Sequence, residues 1–169
     1  NPLQIMTDAD DNGVQNSRTS IALTTQFLKA FMRYYDPSIQ EDVLTLFIEV
    51  VRSTYRRFGI DDDKDFSNFS NDDYPTFSDV YETIKAILIS LPEHTNERDI
   101  MERLELKIRP LTDDLKYYFN GHTTIEHNSD FIVFNIKQLM NTDSTIKNAL
   151  FFNTLKYAWS IFPKHASIA

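Results

Sequence analysis

Residues Thr95 to Tyr118 read TNERDIMERLELKIRPLTDDLKYY, and the spacing of their apolar side chains decides the fold class. Met101, Leu104, Ile108, Leu111, Leu115 and Tyr118 follow one another at intervals of 3, 4, 3, 4 and 3. That is the period of an α-helix with one face packed along another helix. Thr95 stands where an N-cap belongs, and Phe119-Asn120-Gly121 ends the pattern. Pro110 lies inside it. A proline removes one backbone donor and crowds the preceding turn, at roughly 3 kcal/mol in a helix interior, so a break or kink is expected near Arg109.

The same period recurs towards the N-terminus. Phe27, Leu28, Phe31, Tyr34 and Tyr35 form one face of a helix from about Ser20, its expected N-cap, to Tyr35, and Asp36-Pro37 stops it. Ser38-Ile39-Gln40-Glu41 has the form of a capping box, after which Val43, Leu44, Phe47, Val50, Val51, Thr54 and Phe58 run on to Gly59, a natural C′ residue. These two segments are expected to pair antiparallel. Between Ile60 and Tyr74 stand six aspartates (61, 62, 63, 65, 72, 73), which suits an exposed, mobile loop. Thr76 or Ser78 then caps a helix with Val80, Ile84, Ile87/Leu88 and Leu91 on its apolar face and Pro92 as its stop.

Past Gly121 the period changes. Phe131-Ile132-Val133-Phe134-Asn135-Ile136 is a β-branched and aromatic run without clean alternation, as in a strand buried on both faces. A last helix, capped by Thr142 or Asp143, carries Ile146, Leu150, Phe151, Leu155, Ala158, Trp159 and Phe162. One strand is not stable alone, so Leu3–Met6 supplies its neighbour or the neighbours lie outside this chain. The expected fold is mainly α: a bundle of about five helices with one or two short β-strands. The expected boundaries are 1–19 for a strand end and acidic loop, 20–125 for the helical unit and 126–169 for a strand and helix. An apolar stretch at the first residue and strand-like pieces at both ends give the profile of an insertion excised from an α/β domain.

Composition sets limits on function. The 169 residues carry 17 Lys+Arg against 25 Asp+Glu, a net charge of −8, which disfavours a broad nucleic-acid-binding face because phosphate neutralisation supplies most non-specific affinity. With 41% hydrophobic and 13% aromatic residues the chain has enough to bury a core. It has no cysteine, which removes disulfides, thiolate nucleophiles and thiolate zinc sites and fits a reducing compartment. No apolar run reaches the roughly 18 residues of a membrane span.

Few constellations could carry chemistry. Asp8, Asp10 and Asn12, followed by Gly13, match relative positions 1, 3, 5 and 6 of a calcium loop, but Thr19 stands where the bidentate Glu belongs, so at best a weak calcium site is expected. Asp61-Asp62-Asp63-Lys64-Asp65 reads as a solvated charge run. His122, Glu126 and His127 would form a metal or general-base group, but a spacing of five does not share a helix face and Gly121 has already ended the helix. His94 and His165 have no identifiable partner. Arg52, Arg56 and Arg57 make a small basic patch at a helix C-terminus, where cations are favoured. Most of Tyr34, Tyr35, Tyr55, Tyr81, Tyr117, Tyr118, Phe119 and Trp159 read as core. The glycines at 13, 59 and 121 are too far apart for a phosphate-cradling loop, and no catalytic residue or cofactor ligand is expected within the chain.

The order of short motifs is nevertheless specific. Asn1-Pro2-Leu3-x-Ile5, the Val51 to Ile60 stretch, Pro75-Thr-Phe-Ser-Asp-Val-Tyr81, Tyr118-Phe-Asn-Gly-His-Thr123 and Phe131 to Leu139 resemble the conjugative-transfer ATPases of type IV secretion systems, the VirB/Tra class. The resemblance implies a RecA-like ATPase domain with an all-helical domain inserted between its Walker A and Walker B regions. Asn1–Met6 would leave a core strand, Phe131–Ile136 would re-enter the core and Thr142–Phe162 would be the next core helix. Asn135 stands where the family often has Asp, and no Walker residue has a counterpart here. The resemblance thus implies a non-catalytic fragment whose helical domain serves packing and protein–protein interaction, with ATP and magnesium bound only by the intact protein. It also implies the rest of the ATPase domain, other copies and secretion-channel proteins as partners, and a cytoplasmic location with membrane association through the secretion complex. The alternative is a stand-alone helical binding module with a weak calcium loop.

Overall fold

A computed structural model describes residues 1–5, 17–66, 68–124 and 143–161. Among them lie helices α1 (Ser17–Tyr35), α2 (Glu41–Arg57), α3 (Phe77–Ser90), α4 (Asn96–Thr112), α5 (Lys116–Phe119) and α6 (Ser144–Ile161), with a one-turn 3-10 helix at Asn71–Asp73. The chain is mainly helical, as expected. The Thr95 hydroxyl accepts the Arg98 amide and starts α4, whose Met101, Leu104, Ile108 and Leu111 are each no more than 1% exposed. Burying four such side chains contributes about 1.5–3 kcal/mol apiece before entropy is counted.

Of the break or kink expected near Arg109, the break does not occur. The helix runs through Pro110 to Thr112 and ends at Asp113, and Pro110's own carbonyl accepts the Leu115 amide at 2.9 Å. The carbonyl four residues before the proline belongs to Leu106, a residue 54% exposed, so its lost partner sits on a face open to water. The apolar pattern therefore continues into α5 as a separate turn, where Phe119 is buried and Tyr118 is not.

α4 packs on α2 and α3, while α1 packs chiefly on α6 and less on α2, the partner expected for it. Phe31 of α1 ties the layers together, stacking on Phe77 at 5.8 Å and meeting the edge of Phe119 at 5.2 Å between centroids. Polar matches also span α2 and α3: the hydroxyls of Thr54 and Thr83 meet at 2.9 Å, and Arg57 donates to Thr83 Oγ1 at 2.6 Å. α2 closes with Gly59 at φ 67°, its amide on Arg56 O at 3.0 Å and the Ile60 amide on Tyr55 O at 2.9 Å. This is the paired closure that only a residue tolerant of positive φ makes cheaply.

Several local expectations are corrected. Ser20 does not cap α1 but is fully buried within it. The Ser38–Glu41 capping box does not form: Asp36 takes the Ser38 amide and hydroxyl, Gln40 is the cap residue, and Glu41 instead pairs with Arg33 at 2.7 Å. Thr76, not Ser78, caps α3, with Asp79 completing a capping box. The Ile60–Tyr74 loop is pinned, since Ile60, Phe66 and Tyr74 are buried and Phe69 packs edge-on against Phe66 and Tyr74.

No strand occurs among the described residues. Leu3–Ile5, expected as a strand end, form a turn in which the Asn1 side chain accepts the Leu3 amide at 3.0 Å. Pro2 has no N–H for a ladder, and side chains from other elements take the carbonyls of residues 2 to 4. The second expected strand, Phe131–Ile136, lies outside the described residues. Asp143 caps α6, accepting the Thr145 amide at 2.9 Å, but the helix presents a different face from the one expected. Ala149 and Lys156 are its buried residues, and Phe151, Leu155 and Trp159 are exposed.

Candidate functional site

The densest polar structure lies where the first residues, the end of the acidic loop, the end of the helical body and α6 meet. Tyr55 of α2, fully buried, donates its hydroxyl to Leu3 O at 2.7 Å, and burial pushes its phenol above the ordinary range. Lys156 of α6 is 8% exposed and donates to Pro2 O and Gln4 O, both at 2.7 Å. Its ammonium also stands 4.4 Å from the centre of the Phe27 ring. Burial lowers its pKa to about 7. A lysine held by two carbonyls and an aromatic face is satisfied through dipoles and a ring quadrupole.

On the other side of the same segment, Asn1 Nδ2 donates to Pro75 O at 3.0 Å and Gln4 Nε2 donates to Asn71 Oδ1 at 2.9 Å. Asn71 Nδ2 in turn donates to Thr123 O at 2.7 Å, and the Thr123 hydroxyl returns to Gln4 Oε1. Residues 2 to 4 are thus clasped by side chains drawn from positions 55, 71, 123 and 156. This arrangement can fix the path of a chain. It places no nucleophile beside a base.

Of the residues singled out in the sequence, Tyr55 belongs to the clasp and His122 borders it. Asp8, Asp10 and Asn12 lie outside the described residues, as do Glu126, His127 and His165. His122 is exposed and sits at the edge of the clasp, its Nδ1 3.1 Å from Asn71 O. His94 is an exposed residue at φ 60° just before the Thr95 cap. No group of three or more His, Asp or Glu among the described residues is arranged to hold a metal ion. Arg57 is spent on Thr83, whereas Arg52 and Arg56 line a hollow of about 370 Å³ together with Asp61, Asp62 and Asp63, where charges of both signs cancel. Of the aromatics expected in the core, Tyr55 and Phe119 are buried, Tyr35 and Tyr81 are half-buried, and Tyr34, Tyr117, Tyr118 and Trp159 are exposed.

Sequence reasoning missed Lys156. Its signal was a cation one turn from Phe152 on a helix whose polar residues are scattered with no common face. The sequence contains no Gly-rich loop ending in Lys-Ser/Thr of the kind that cradles nucleotide phosphates.

No family model matches the chain, and no curated protein matches it. Among solved structures it is similar to VirB4 of Thermoanaerobacter pseudethanolicus, at a TM-score of 0.80 and 28% sequence identity, over 95% of this chain and 57% of that one. The chain thus spans little more than half the length of the VirB4 chain it matches. The likeness bears out the resemblance read from the short motifs: this is a VirB4-like chain, and its helices correspond to a helical part of that structure.

Proposed function

We propose that the chain is the helical, non-catalytic part of a type IV secretion ATPase and serves as a packing and interaction unit for the rest of that enzyme. The observation that carries this reading is the 0.80 TM-score to VirB4 over nearly the whole chain. The face of α6 supports it: Phe151, Leu155 and Trp159, one turn apart, are 48%, 50% and 73% exposed, an apolar stripe of the kind that marks a covered surface. In this proposal the remainder of the ATPase domain covers that stripe and supplies the ATP and magnesium ligands. Further copies and secretion-channel proteins meet other faces, and conjugative DNA transfer is one process such an enzyme would power. Among the described residues no helix is long and apolar enough to cross a membrane, so membrane association would come through those partners.

Two measurements test the proposal. The coding sequence on either side should supply a Gly-Lys-Ser/Thr loop upstream and an apolar strand ending in acidic residues downstream, and the lack of both would remove the ATPase. Phosphate release should be absent from the 169-residue chain and present in the full-length protein. Hydrolysis by the chain alone would refute the non-catalytic role.

A further inference from the structure

An open groove of about 480 Å³ runs between α2 and the first turns of α4. Its floor is apolar, made by the half-buried Leu46 of α2 and Ile100 of α4. Its rim carries Glu41, Asp42 and Glu49 from α2 and Glu97 from α4, and no lysine or arginine lines it. One end is neutralised from outside. Arg103 binds Asp42 at 2.6 Å and holds that carboxyl below the ordinary carboxylate range, and Glu41 pairs with Arg33 of α1 at 2.7 Å. Glu49 and Glu97 have no ion pair among the described residues. Glu97 has its helix N-terminus for compensation, but Glu49 lies mid-helix and has none.

Glu49 without compensation, Glu97 with only its helix N-terminus, and two half-buried aliphatic side chains between them specify what would fit. A bare metal ion would leave the apolar floor wet, and nucleic acid or an anionic lipid surface would be repelled. We propose that this groove docks a basic amphipathic helix of a protein partner. Two apolar side chains one turn apart cover Leu46 and Ile100, and flanking Lys or Arg residues reach Glu49 and Glu97. The volume matches a few side chains from one helix. The inference goes beyond the ATPase reading and requires nothing from it.

The test uses a fluorescently labelled 14-residue peptide of Leu and Lys at helical spacing, titrated with the 169-residue chain and followed by anisotropy. The double variant Glu49→Gln/Glu97→Gln should weaken binding about tenfold. Asp63→Asn/Asp72→Asn, which removes the same charge far from the groove, should leave binding within about twofold. Replacing the peptide's Leu by Ser at constant charge should also weaken it about tenfold or more. Equal losses in the two double variants, or no loss on replacing Leu, would reduce the effect to net charge and overturn the proposal, as would failure of the unaltered chain to bind.

Discussion

Lys156 is a buried cation held without a carboxylate, and its chemistry has a definite pH signature. Its ordinary pKa is 10.5 and burial lowers it to about 7, so between those values the unfolded chain holds a proton that the folded chain does not. Stability should therefore rise with pH from about 7 towards 10, by up to about 1.4 kcal/mol per pH unit. The neutral amine keeps two N–H donors for the two carbonyls, so losing the charge orphans neither acceptor. Above pH 10 the trend should reverse, because burial raises Tyr55 and pushes Tyr74 up to about 12, and both must stay protonated in the folded state. Urea unfolding at a series of pH values checks this, and Lys156→Met should abolish the rise between about pH 8 and 10, above the range where the buried N-terminal amine contributes, while lowering stability near pH 10, where two carbonyls lose their donor. Tyr55→Phe strands the carbonyl of Leu3, a residue with no exposure, and should cost about 1–2 kcal/mol in the same assay at constant pH. Neither residue was legible as special in the sequence, because what each does depends on residues 2 to 4, with 52 to 154 positions between the partners.

The helices themselves were largely legible, their ends less so. The periodic face of α4 and the Gly59 closure of α2 follow from local rules, and the structure keeps both. Nothing lies within 4 Å of a Cβ built on Gly59, so Gly59→Ala would meet only the left-handed backbone, a cost of about 1 kcal/mol readable as a lowered urea midpoint with unchanged slope. Caps failed where two candidates competed for the same amide. Asp36, two residues before Ser38, accepts its N–H at 3.0 Å and its hydroxyl at 2.6 Å in a local turn, and α2 starts only beyond it, with Gln40 as the cap residue. The face of α6 failed for the opposite reason. With Phe151, Phe152, Leu155, Tyr157 and Trp159 all present, the pattern has no polar side to orient it, and packing against Phe27 and Tyr34 of α1 decides.

At the scale of the molecule, α6 carries an apolar stripe open to solvent. Trp159→Lys should change unfolding free energy by less than about 0.5 kcal/mol, since the side chain is 73% exposed. The same substitution should reduce concentration-dependent self-association of the 169-residue chain in sedimentation, and a large loss of stability would mean that Trp159 packs within the body after all. The candidate site was only partly legible: short motifs pointed to the right structural relative, whereas the clasp is made of Asn, Gln, Thr, Tyr and Lys, types too common on surfaces to announce themselves. Its geometry sets how such a body can be carried. Gln4 and Thr123 touch although 119 positions separate them, so whatever precedes and follows them leaves from one spot. For a host domain, holding those two points together requires no more room than a tight turn, and the entropy of closing the long segment grows only as the logarithm of its length. Because α6, which follows that spot, packs chiefly on α1, the body is held along a helix face as well as at its two joined ends.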